Sequence, residues 1–206
     1  MLPTHALSGM LLALPLLFLA PVYAPIALVA GFLGGIFPDL DMYRGHRKTL
    51  HYPVYYSMFA LSITPIAFLA PSTVTIGLVF FLAGAALHSI TDIFGSGLEL
   101  RPWEARSNRA VYNHYRQHWI RPRRLVKYDG SPGDLLLSVG LAVPLLYSIT
   151  GTLEWLVIGA ISVAVLYTIL RRTLAELAGR IVTFIPPSFH QYLPDRYLEP
   201  AQIRTS

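Results

Sequence analysis

No cysteine occurs in the 206 residues. Disulfides, thiolate metal sites and cysteine nucleophiles are therefore excluded. Charge is scarce too. Asp, Glu, Lys and Arg make up 13% of the chain, and 54% is hydrophobic. A soluble domain carries about 25% charged residues because its surface must be wetted, so much of this surface is expected to meet lipid. Basic residues are missing from most of the chain. All 16 Lys and Arg fall in three stretches, 39–52, 96–134 and 171 onward. None precedes the first apolar run, and no small-residue cleavage site leads into a polar region, so that run reads as a retained helix rather than a secretory signal.

What is present is apolar helix. A bilayer core takes about 20 helical residues, and six runs approach that length: 6–20, 24–37, 54–70, 73–94, 135–150 and 153–170. The tight, uncharged links at 21–25, 71–72 and 151–152 make antiparallel neighbours. The expected fold class is an all-α polytopic membrane protein with about six transmembrane or membrane-embedded helices in three antiparallel hairpins. The membrane domain spans 1–172, and 173–206 forms an interfacial tail. With six spans the three basic stretches share one side, and the positive-inside rule puts them and both termini in the cytoplasm. The expected location is the inner (cytoplasmic) membrane. The loop 96–134 holds Tyr112-Asn113-His114-Tyr115-Arg116-Gln117-His118-Trp119, which predicts a short interfacial helix. A second one is expected over 174–184.

The polar residues inside this apolar frame carry the chemistry. His5 begins the first helix, Asp39 and Asp41 end the second, His46, Arg47, Lys48 and His51 precede the third, and His88 and Asp92 lie near the end of the fourth. The topology returns all of them to one membrane face. His88 and Asp92 are four apart, so they share a helix face and can bind one ion. An Asp inside a span is costly unless paired, and intramembrane ionisable groups mark function. Of Asp39 and Asp41, one can ligate while the other orients a histidine. Taken singly, each has a plainer reading: helix caps for the aspartates, topology determinants for His46-Arg47-Lys48, an interhelical hydrogen bond for His88 and Asp92. Convergence of four segments favours a metal. His and Asp without Cys suit Zn²⁺, Mn²⁺ or Fe²⁺. His114 and His118 read as a solvated face and His190 as idle.

Four pieces, Thr4-His5, Gly34-Gly35-Ile36-Phe37-Pro38-Asp39-Leu40-Asp41, His46-Arg47-Lys48-Thr49-Leu50-His51 and His88-Ser89-Ile90-Thr91-Asp92, resemble the YdjM-like family of inner-membrane metal-dependent hydrolases. More distantly they are similar to the all-helical zinc-dependent phospholipase C and single-strand nuclease superfamily. The resemblance covers about the first 100 residues. It implies metal-ligand roles for His5, Asp39, His51, His88 and Asp92. The superfamily's further ligands on later helices are matched only by His114 and His118, which implies one or two ions rather than three. Leu50-His51-Tyr52 stands where family members often carry Thr-His-Ser.

The function this implies is hydrolysis of a phosphoester, a phospholipid or isoprenoid phosphate, at the cytoplasmic face. A bound divalent metal, Zn²⁺ first, would lower the pKa of water toward ~7. Asp41 would act as general base or orienting residue, His46 would protonate the leaving group, and Arg47 with Lys48 would hold the phosphate. The partners are membrane lipid and a lipid phosphate, not nucleic acid. Two rivals use the same residues. One is a divalent-cation transporter, against which the polar groups gather at one face and line no path. The other is a non-catalytic scaffold whose basic loop binds acidic lipid or a cytoplasmic partner.

Overall fold

The structure, a computed structural model, describes residues 1–194 and 196–198. It is mostly helical. Helices α1 (Leu2–Leu12), α3 (Ala24–Ile36) and α5 (Thr73–Thr91) form the centre. Helix α4 (Pro53–Leu69) packs on α5, and α6 (Pro132–Ser148) and α7 (Thr152–Phe184) pack on α1. Pro15 lacks the N–H that would extend α1, so the chain turns and resumes as the single turn α2 (Leu16–Leu19).

Among the described residues, four segments are long and apolar enough to cross a membrane: Leu2–Leu19, Ala24–Asp41, Thr73–Phe94 and Thr152–Phe184. Pro53–Leu69 and Pro132–Ser148 are apolar but shorter. Phe18, Leu61, Phe68, Tyr147, Trp155 and Ile169 lie bare on the outside, a surface that water would not tolerate at this density and lipid would.

The central helices meet backbone to backbone. A Cβ on Gly9 or Gly31 would collide with the backbone of the other, one on Gly35 with the His5 carbonyl, and one on Gly34 with the Phe81 carbonyl. Small residues at such spacing let apolar helices approach closely where no hydrophobic effect drives them together. Below this seam, Leu7, Met10, Leu28, Leu145 and Val157 fill the core.

Two expected elements take another form. Residues 112–119 are not helical: Val111–Asn113 (β1) and His118–Ile120 (β2) pair antiparallel, with Val111 opposite Ile120 and Tyr112 opposite Trp119. These β-branched and aromatic residues suit a pleated surface, and Gln117 takes the left-handed conformation (φ 54) that closes the hairpin. The His114/His118 helical spacing therefore has no meaning. Nor is 174–184 a separate helix. Helix α7 runs unbroken through the expected boundary at 172/173, because nothing after Leu170 breaks it. Arg171 is tolerated mid-helix because its Nε lies 3.1 Å from Asp129 Oδ2.

Candidate metal centre

At one end of the bundle α3 gives way to a 3-10 turn, Phe37–Asp41, and α5 to another, Asp92–Phe94. These turns, the loop 42–52 and the start of α1 bring His5, Asp39, Asp41, His46, Arg47, His51, His88 and Asp92 together, as the sequence predicts. Their roles are sorted by which atoms already have partners.

Asp39, His51, His88 and Asp92 each offer one ligand atom, and the four atoms lie within 4.8 Å of one another. His51 Nε2 is 3.3 Å from Asp92 Oδ2 and 3.7 Å from Asp39 Oδ1. His88 Nε2 is 3.6 Å from Asp92 Oδ2 and 3.5 Å from Asp39 Oδ1. A tetrahedral ion about 2.0–2.1 Å from its ligands separates them by about 3.3–3.4 Å, close to these edges. His51 Nε2, His88 Nε2 and Asp92 Oδ2 are buried without a hydrogen-bond partner. Buried polar atoms without partners are costly, and here they face a common point. A divalent cation would satisfy all of them.

The surroundings aim these atoms. His88 Nδ1–H donates to the Gly35 carbonyl at 2.6 Å, which leaves the Nε2 lone pair toward the centre. His51 Nδ1–H donates to Asp41 Oδ2 at 3.0 Å and does the same. Burial works against a charge on His51, but the Asp41 and Asp92 carboxylates outweigh it and hold its pKa above the ordinary range. In this anionic pocket a proton or a metal ion answers the same demand.

Asp41 is fully occupied. Its Oδ1 accepts from His46 Nδ1–H (2.9 Å) and the Arg47 N–H (3.3 Å), and its Oδ2 from the Leu50 N–H (3.0 Å) and His51. It orients two histidines and has no lone pair left for the work of a base. His5 is also corrected. Its Nε2 contacts Asp92 Oδ1 and its Nδ1 contacts Thr91 Oγ1, both at 3.0 Å. With both nitrogens taken it steadies Asp92 and stands outside the ligand group.

His46 differs from the others. Its Nδ1–H is held by Asp41, and its Nε2 is left to the cavity it lines. Burial, aided by the nearby Arg47 cation, lowers its pKa despite Asp41. Arg47 is buried, with Nε 3.2 Å from Asp92 Oδ2 and Nη1 donating to the Ser96 carbonyl at 2.6 Å. One prong of the fork expected from the sequence, Nη1, is thus taken, Nε faces Asp92 without a hydrogen-bond partner, and Nη2 remains. The Arg47 backbone sits in the left-handed region (φ 59), uncommon for any residue but Gly, and is tied down by Asp41 and by the Tyr112 N–H, which donates to its carbonyl. Lys48 is exposed and rests on the Tyr112 ring, 4.5 Å from its centroid, away from the ligand group. His114 stacks on Tyr52, His118 is exposed, and His190 contacts the Ile185 carbonyl; none joins the centre.

A cavity of about 440 Å³ adjoins the centre. His5, Asp39, His46, Arg47 and Asp92 line one part of it, and Leu2, Pro3, Ile36, Leu40, Val163 and Leu174 another. Two groups here escaped the sequence reading. Asp129 pairs with Arg171 and accepts from the Tyr167 hydroxyl. Asp134 accepts from Thr4 Oγ1 and the Gly130 N–H, which fixes the start of α1 beside His5. Both join residues far apart in sequence, and only the odd acid before an apolar run hinted at them.

Comparison of the chain with family models, curated proteins and solved structures finds no match.

Proposed function

We propose that the protein is a membrane-embedded, metal-dependent phosphoester hydrolase of the inner membrane, with about six helices in three hairpins, both termini in the cytoplasm and the site at headgroup depth. The observation that carries it is the set of orphaned atoms of His51, His88 and Asp92, which with an oxygen of Asp39 lie within 4.8 Å of one another. The sequence resemblance points the same way.

Asp39, His51, His88 and Asp92 would hold a divalent ion, which when bound would supply Lewis acidity toward water and a phosphoryl oxygen. Asp41 and His5 keep those ligands oriented. Water's oxygen bonds to phosphorus as the P–O bond to the alcohol breaks. His46 takes one water proton at Nε2 and passes it to the departing oxygen, while the other stays on the phosphate, so a phosphomonoester and water become an alcohol and hydrogen phosphate. Arg47 offers Nη2 to a phosphoryl oxygen. The apolar part of the cavity suits an acyl or isoprenoid chain, which makes a lipid phosphate the substrate.

The test is phosphate release from phosphatidic acid and isoprenyl phosphate by purified, metal-loaded protein, beside His88→Ala. Release by the wild type alone is expected. Release that survives the substitution, or no release at all, ends the reading.

A further inference from the structure

A second, wider groove of about 1150 Å³ lies against the first cavity, and Met42, His46, Glu99 and Arg196 line both. The two therefore meet at His46, the group placed to move a proton. Their characters differ. The first has the apolar wall of α1 and α7. The groove is lined by Arg44, Lys48, Arg106 and Arg109, with Glu99 its one acid among the described residues. Arg106 is paired to Glu104 at 3.2 Å. Arg44, Lys48 and Arg109 make no ion pair among the described residues.

Topology alone would scatter cations over a headgroup-facing surface. Here three cations without an ion-pair partner among the described residues, Lys48 over the Tyr112 ring and Arg109 near the Trp119 ring, line an indentation joined to the metal centre. A single phosphate is answered by the ion and Arg47, which leaves this charge unmatched. Recognition of polyphosphate by Arg and Lys matches it.

Resting on the hydrolase reading, we propose that the groove binds a second phosphoryl group, so that the substrate class is a lipid diphosphate, chain in the apolar cavity and distal phosphate against Arg44, Lys48 and Arg109. Cleavage then breaks the P–O bond to the bridging oxygen. Water's oxygen joins the proximal phosphorus, one of its protons stays with the lipid monophosphate, and the other goes by way of His46 to the bridging oxygen, which leaves with the inorganic phosphate.

The experiment compares farnesyl monophosphate with farnesyl diphosphate in neutral detergent micelles, using metal-loaded wild type, Arg44→Ala/Arg109→Ala and Arg180→Ala. Each lost charge-assisted contact costs about ten-fold or more in affinity. The wild type is expected to favour the diphosphate by about ten-fold or more in KM. The double variant closes that gap, and Arg180→Ala, an exposed charge outside both cavities, keeps it. A wild type without preference overturns the proposal. So does an unchanged preference in the double variant, and activity answering only to added anionic lipid makes the groove a bilayer-facing surface instead. If neither ester is cleaved, the hydrolase reading fails and calorimetry decides the groove. Tighter binding of inorganic pyrophosphate than of inorganic phosphate, lost in the double variant, upholds it; equal binding overturns it.

Discussion

Asp41 shows most plainly how the site is built, because it touches no ligand position yet fixes two imidazoles with four accepted hydrogen bonds. Asp41→Asn keeps the size but puts an amide N–H₂ against a donor. One histidine must turn, so metal affinity is expected to fall about 10- to 100-fold, as for other partners of metal ligands; competition with a chelator reads this, and unchanged affinity would separate Asp41 from the centre. His46 gives a pH dependence. Burial, with Arg47, depresses its pKa below 6.5 despite Asp41. The base works when neutral, so activity is lost only as pH falls through that lowered value. The acid limb of kcat is expected below pH 6.5, and one above it would mean that a different group titrates.

At the scale of the element, the glycine seam sets where the ligands stand. The Gly35 carbonyl holds His88 and its Cα faces the His5 carbonyl. Gly35→Ala forces α1 and α3 apart. Overpacking of this kind costs about 1–3 kcal/mol and should appear as a lower Tm together with weaker metal retention. Gly140 in α6 has open space around it, so Gly140→Ala should leave both unchanged or raise Tm slightly. Equal behaviour of the two variants would refute the close approach as a determinant of the site. The helices were legible because long apolar runs such as 73–94 and 153–170 have few other uses. The hairpin 111–120 was not, since aromatic and basic residues at mixed spacing fit either an interfacial helix or a short ribbon until Val111 finds Ile120.

Across the whole molecule, the site was readable for a thermodynamic reason: ionisable groups cost too much in an apolar frame to be incidental. His88 and Asp92 came from that argument, and Asp39 and His51 from the convergence of segments on one face and from the resemblance. What sequence could not divide was ligand from orienting residue, since His5 and Asp41 have the same chemistry as their neighbours and differ only in which atoms are already engaged. The Asp129–Arg171 pair joins residues 42 apart, and no local pattern marks it. Orientation in the bilayer remains a matter of charge placement, and it is testable. Cysteines introduced as Ser72→Cys and Arg116→Cys in intact cells should label with an impermeant thiol reagent at 72 and not at 116. The reverse pattern would invert the topology and put the site on the other face.

The claim on which the rest depends is that four side chains hold an ion. Elemental analysis of the protein purified under mild extraction tests it most directly, with wild type, His88→Ala, Asp92→Ala and His190→Ala side by side. A stoichiometric divalent metal is expected in the wild type and in His190→Ala, and is expected to be lost from the other two. Metal retained in His88→Ala and Asp92→Ala, or no stoichiometric metal in the wild type, would contradict the metal centre.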